Sequence, residues 1–336
     1  MSAPQGRRVS FTHESKSLLD NPLGDPHHRT VEVLLPPGHH PGERLPVLYW
    51  LPGFGATASL TTRGIVFGAP VAQQMWAAMA RGSAPRALVA VPDCATAFGG
   101  SQYINSPACG RYSDYLAEVV TEVDQRFRTR PEPAWRAVGG KSSGGYGALI
   151  AGMRGDLFGA VVAHTPDAGF EHAYLPLLPG VLDTLRQAGG VTAFLARRRT
   201  GPHDGPFMVA MSLVAMGMCY TPHAPTAPAD ALPCDPATGV FRPEVWQEWL
   251  RHDPVHLVAG ALERLRALRL LYLDTGQRDE YHMHWGVRAL HATLARHGVA
   301  HEYQEHDGGH QGIEHRFLTS LSLLARAWHT ERDDGP

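Results

Sequence analysis

Residues 140–149 read Gly-Lys-Ser-Ser-Gly-Gly-Tyr-Gly-Ala-Leu. Just before them Trp135-Arg136-Ala137-Val138 reads as a short buried strand, and Tyr146 to Met153 can start a helix. A strand and a helix this close are joined only by a sharp turn. With Ser142 at its apex, the turn brings residues 140 and 144 nearly into contact, and only small side chains fit there. The same turn predicts a strained backbone at Ser142. The helix that follows aims its N-terminus at the apex, where free N–H groups and the helix dipole favour negative charge. Gly140, Ser142 and Gly144 thus match the G-x-S-x-G turn that exposes a serine between strand and helix. In a chain with 36 glycines the five-residue pattern alone would mean little; its flanks carry the inference. Gly-Lys-Ser also belongs to phosphate-binding loops, but that motif needs a further glycine where Trp135 stands.

Apolar, β-rich runs alternate with helical patterns along the chain, which predicts an α/β sheet. The expected strands are 8–13, 29–35, 46–51, 87–92, 134–139, 159–164, 268–274 and 301–306. Val47 to Leu51 and Leu268 to Leu273 are mostly apolar without clean alternation, as strands covered on both faces should be. The first two strands are more polar and should form an antiparallel edge. Helices are expected at 69–81, 112–127, 144–154, 283–297 and 312–329. Between about 168 and 264 no strand stands out, far too long for an ordinary crossover. Helical pieces near 190–198, 206–218 and 243–250 and a Pro-rich connector from Thr221 to Pro236 fall there. This predicts a core of residues 1–167 and 265–336, with 168–264 inserted as a cap over the sheet's C-terminal edge. The piece from Pro206 to Met216 is apolar nearly all round and should be buried, its methionines Met208 and Met211 either lining an adaptable pocket or filling core.

The composition fits a soluble globular protein: 336 residues, 43% hydrophobic, 18% charged, formal net charge -2. Such a balance gives no reason to expect nucleic acid or an anionic membrane as partner. No window reaches the length of a membrane span, and Met1 to Ser10 is polar, unlike a signal peptide; a cytoplasmic location is the expectation. Spacing would allow Cys94–Cys109 or Cys219–Cys234 disulfides, but free thiols in a reducing compartment are the preferred reading. The sequence leaves open whether the chain forms a homo-oligomer.

A serine nucleophile needs a base, an acid that orients the base, and donors for the oxyanion, and in this architecture the chain order is Ser, Asp or Glu, His. The last strand runs into Asp307-Gly308-Gly309-His310, which makes His310 the candidate base. His301, His306 and His315 compete with it. The preceding strand leads to Asp274-Thr275-Gly276-Gln277-Arg278-Asp279-Glu280, with Asp279 the candidate acid and Glu280 the alternative. Asp167, after the sixth strand, is a third. The oxyanion donors should be the amides of Ser143 and Phe54, with Gly55 behind Phe54. Gln102, Tyr103 and Asn105 in the loop after the fourth strand, and Tyr146 and His164 near the same edge, are candidate substrate contacts. So is Gly55, with Met208 and Met211 from the cap.

Together, Leu51-Pro52-Gly53-Phe54, Gly100-Ser101-Gln102-Tyr103, Gly140 to Leu149, Asp274 to Glu280 and Gly309-His310 resemble the putative-esterase family of α/β-hydrolases. That family includes S-formylglutathione hydrolases, feruloyl esterases, enterochelin-esterase-like proteins and the antigen 85 mycolyltransferases. The resemblance spans about residues 21–310. It implies an α/β-hydrolase fold and a Ser–Asp/Glu–His hydrolase without metal or organic cofactor, with Ser142 as nucleophile, Asp279 or Glu280 as acid and His310 as base. Lys141 departs from the family, standing where many relatives have His. His164-Thr165-Pro166-Asp167 stands where close relatives commonly resemble His-Ser-Gly-Asp, and the insertion is longer than in compact members.

The leading expectation is a serine carboxylesterase that acts on small-molecule esters through an acyl-serine. The alternative is an acyltransferase with the same triad and an alcohol acceptor. A metal-dependent hydrolase using His282, His284, His301, His306 and His310 matches no zinc spacing. A non-catalytic binding protein of the same fold would have no need of the ordered set.

Overall fold

The computed structural model describes residues 5–63, 71–201, 203–221 and 227–329. Its centre is an eight-stranded sheet. In chain order the strands are β1 (Arg7–Glu14), β2 (His28–Leu35), β3 (Val47–Leu51), β4 (Leu88–Pro92), β5 (Arg136–Lys141), β6 (Ala160–His164), β7 (Leu270–Gly276) and β8 (Glu302–His306). They lie side by side as β1-β2-β4-β3-β5-β6-β7-β8. The β1–β2 and β2–β4 pairings are antiparallel, and all the others, from β4 across to β8, are parallel. The edge strand β1 shows the alternation of a half-solvated strand, whereas β3, β4 and β6 are buried throughout. Strands β5 and β7 begin two residues later than the sequence suggests. Before β5 the reason is a 3-10 turn at Pro133–Trp135, where proline favours a helical start.

Side chains leave alternate faces of each strand. Leu48 and Trp50 of β3 join a cluster with Met75 and Phe317, from helices α1 (Val71–Ala80) and α9 (Arg316–His329). Val47, Tyr49 and Leu51 join the larger cluster on the other face, with α2 (Tyr112–Arg126), α3 (Ser143–Arg154) and α8 (Met283–Arg296). The expected helix 69–81 starts at residues 69 and 70, which lie outside the described residues, as do 222–226 of the Pro-rich connector.

Segment 168–264 contributes no strand to the main sheet among its described residues. It holds helices α4 (Leu178–Gln187), α5 (Val191–Ala196), α6 (Gly205–Tyr220) and α7 (Pro243–Leu250). Asp204 caps α6 by accepting the Phe207 amide hydrogen at 2.9 Å. Because α6 is apolar all round, it is covered on most sides. Phe207, Met211, Val214 and Met218 pack into the same core cluster as Tyr49 and Val138 of the sheet.

Candidate active site

Ser142 stands between β5 and α3 with φ 57° and ψ -127°, a left-handed backbone that costs a non-glycine residue on the order of 1–3 kcal/mol. Packing enforces it. A Cβ atom on Gly144 would lie 2.0 Å from the Leu51 carbonyl oxygen, and one on Gly140 would lie 2.5 Å from the Gly144 carbonyl carbon. The chain turns this tightly because β5 must pass beside β3 and feed directly into α3. Ser143 opens α3, and its amide has no acceptor among the described residues. The Phe54 amide has none either. By contrast, the Gly55 amide is committed to the Gly99 carbonyl at 3.0 Å, so Gly55 is no second oxyanion donor. It shapes the loop instead, at φ 75°. Tyr103 holds that same loop from beneath by donating its hydroxyl to the Pro52 carbonyl.

His310 follows β8 and is buried. Its Nδ1 lies 2.8 Å from Asp279 Oδ2, and its ring meets Tyr281 edge-on at 4.9 Å. A carboxylate only accepts, so Nδ1 carries the proton and Nε2 keeps its lone pair. Asp279 also accepts the Thr165 hydroxyl and, at 2.9 Å, the Tyr281 amide. Burial pushes the Asp279 carboxyl up, yet the hydrogen bond and electrostatic pull of His310, with the hydrogen bonds from Thr165 and the Tyr281 amide, outweigh it and leave the carboxyl below its ordinary value. Glu280 takes a different part of the same histidine: its Oε2 accepts the His310 backbone amide at 2.6 Å. The two acidic residues thus divide between ring and backbone.

Ser142 and His310 line one cavity of about 850 Å³ between the sheet edge and segment 168–264. Trp50, Phe54 and Phe317 wall it from the core side; Met208, Leu213 and Met216 wall it from α6. The Ser142 hydroxyl donates to Asp167 Oδ1 at 3.3 Å rather than to His310. Asp167 is fully buried, and its Oδ2 accepts from Gln102 Nε2 at 3.1 Å, Tyr174 OH at 3.1 Å and Ser143 Oγ at 3.2 Å. Burial raises its carboxyl above the ordinary value, against these donors and the nearby imidazole. Lys141 lines the cavity too, donating to Gln311 Oε1 at 3.0 Å; burial pulls its ammonium down.

Several sequence expectations are corrected. Tyr146 is not a wall of the cavity: it is buried, packs on Phe170 and Tyr220 and donates to the His252 carbonyl at 3.1 Å. His164 also faces away, since it ends β6 on the α9 side. There it bonds Asp274 Oδ2 at 2.9 Å and Ser320 Oγ at 3.0 Å. Asn105 is exposed and serves as a cap, its Oδ1 accepting the amides of Ser113 at 3.1 Å and Asp114 at 3.2 Å. Met211 lies on the core side of α6, while Met208 faces the cavity. Gln102 and Tyr103, both at positive φ, line a small recess beside Ser143. Of the competing histidines, His301 pairs with His291 at 2.8 Å. Asp167, named from the sequence only as a third candidate acid, makes no bond to His310 among the described residues; its place as a hydrogen-bond hub and the Thr165 bond to Asp279 were missed. The adjacency of both residues to a strand's C-terminal end was the available signal.

The model of the family described as "Esterase: Putative esterase" matches residues 26–321. No curated protein sequence matches the chain. Among solved structures, a ferulic acid esterase superposes with TM-score 0.62 at 19% identity, covering 96% of this chain and 99% of its own. The fluorophosphonate-binding serine hydrolase FphF of Staphylococcus aureus gives 0.59 at 16% identity, with 96% and 99% covered. An S-formylglutathione hydrolase from Agrobacterium tumefaciens gives 0.58 at 17%, with 99% and 97% covered. At these identities the likeness speaks for the α/β-hydrolase fold. The family match runs through every segment that builds the site, and the chain belongs to the putative esterase family, a family of carboxylic-ester hydrolases.

Proposed function

We infer that the protein hydrolyses carboxylic esters through an acyl-serine intermediate at Ser142. The observation that carries this reading is the pairing of Ser142, at the strained apex, with a histidine whose Nδ1 is held by Asp279, both on one cavity. Ser142 Oγ swings from Asp167 to His310 Nε2, which takes its proton as Oγ attacks the carbonyl carbon. The Phe54 and Ser143 amides receive the oxyanion. His310 returns the proton to the leaving alcohol, then activates water in the same way. Thr165, Tyr281 and Glu280 keep acid and imidazole in place. Four free, buried thiols support a reducing compartment, in line with the cytoplasm; among the described residues no helix is long and apolar enough to cross a membrane.

The apolar wall from α6 also favours a second reading, transfer of the acyl group to an alcohol that displaces water. Added alcohols that divert acyl product at constant total turnover would support transfer; no diversion leaves hydrolysis. For the main reading, Ser142→Ala should lower turnover of a nitrophenyl acetate on the order of 10⁴–10⁶-fold, and a variant that hydrolyses normally would refute it.

A further inference from the structure

Asp167 is a buried carboxylate on the cavity wall, and all four of its hydrogen-bond partners are neutral: Gln102, Tyr174, Ser143 and Ser142. No lysine, arginine or histidine pairs with it among the described residues. Three donors crowd onto Oδ2, while Oδ1 has a single one, the Ser142 hydroxyl at 3.3 Å. That donor is also the reacting group. When Ser142 becomes an ester its Oγ carries no hydrogen, and Oδ1 is left without a partner among the described residues. Leaving a buried charged acceptor unsatisfied is costly, more so than for a neutral one. An acyl group can repair this itself. A substituent on the carbon next to the carbonyl lies three bonds from Oγ, on the order of 3 Å away, within the space that separates Oγ from Oδ1. Gln102, which donates to Asp167, lines the small recess beside Ser143 and not the cavity itself.

We propose that Asp167 is a specificity residue whose Oδ1 receives an N–H or O–H donor on the α-carbon of the acyl group, so that the preferred substrates are esters of 2-amino or 2-hydroxy acids. The remaining cavity surface on that side, Leu177, Met208, Val209, Leu213 and Met216, suits an apolar side chain on the same acid. The proposal rests on the acyl-serine reading. No bond to Asp167 forms or breaks covalently: the Ser142 proton goes to His310, then to the leaving alcohol, and the α-donor takes over the hydrogen bond that Ser142 gave up.

Three methyl esters with the same carbon skeleton test this: leucine methyl ester, methyl 2-hydroxy-4-methylpentanoate and methyl 4-methylpentanoate. The proposal expects kcat/KM for at least one donor-bearing ester to exceed that of the unsubstituted ester by about tenfold or more. Preference for the amino ester alone identifies an ammonium as the ligand; preference for both identifies a neutral or charged donor. In Asp167→Asn the preference, read as the ratio of kcat/KM for the donor-bearing and unsubstituted esters within that variant, should shrink to within about threefold. Should that variant fail to fold, the wild-type protein answers through inhibition. The boronic acid analogue of leucine should bind about tenfold or more tightly than 3-methylbutylboronic acid, which lacks the amine. Equal rates for all three esters, equal inhibition by the two boronic acids, or a preference that survives Asp167→Asn would overturn the proposal. Failure of the underlying reading looks different: Ser142→Ala would then hydrolyse all three esters undiminished.

Discussion

At Gly144 and Gly140 the steric demand of the turn is absolute, because the atoms a side chain would strike belong to backbone. Such demands leave a mark in the sequence, and so Ser142 was legible before any coordinates. His310 was legible for a related reason: it follows the last strand after two glycines. What the sequence hides is direction. His164 and Asp167 are three residues apart, yet one turns under α9 and the other into the cavity. Nothing in residue type separates them. The choice between Asp279 and Glu280 was hidden likewise, since neighbours on a loop differ in reach only through backbone angles. The geometry now separates their effects. On the proposed mechanism, Asp279→Asn loses the acceptor that fixes the imidazole tautomer, and kcat should fall on the order of 10²–10⁴-fold with little change in KM. Glu280→Gln keeps an oxygen for the His310 amide and should stay within about tenfold of wild type. Steady-state kinetics on one ester distinguishes the two; the reverse order of losses would exchange their roles.

Among the elements, the site depends on how β6, β7 and α9 are fastened together. His164 and Asp274 face each other in register across the β6–β7 pair. Arg316 of α9 reaches the same carboxylate with two nitrogens, each at 3.1 Å. Burial pushes the Asp274 carboxyl up, but the hydrogen bonds from His164 and Arg316 and their charges bring it below its ordinary value. A folded-state value below the unfolded one means a contribution that is complete above the unfolded value of 3.8 and fades as pH falls through the lower folded value. Asp274→Asn, which leaves a guanidinium and an imidazole short of their partner, should cost about 3–5 kcal/mol at pH 7. The gap to wild type in urea unfolding should narrow on going to pH 3. A gap of the same size at both values would show that the charge is not what Asp274 contributes. The strand runs here are strong in the sequence, but nothing in it signals this network. It arises from the strand register and from one helix crossing the sheet, both long-range facts.

For the whole molecule, the question is whether segment 168–264 is a unit of its own. Its helices were partly visible from their apolar pattern, although α4 was not expected, since Pro179 and Gly180 mask its start. Phe170, Phe194, Val214 and Trp249 of the segment share one continuous cluster with Tyr49, Val138 and Leu273 of the sheet. Removing the segment would expose that face, so core and insertion should unfold together. Calorimetry should show a single transition whose calorimetric and van't Hoff enthalpies agree; two resolved transitions would make the insertion a separate domain. The shared core also bears on the cavity. A wall built from a helix as embedded as α6 holds its shape, which gives the substrate preference a fixed template.

The central claim is that Ser142 becomes covalently attached to the group it attacks. A fluorophosphonate probe followed by mass spectrometry of the digested protein tests it most directly. One adduct is predicted, on the peptide that carries Ser142, absent from Ser142→Ala and formed far more slowly by His310→Ala. A folded wild-type protein that takes no label, or a label that persists when Ser142 is replaced, would contradict the account.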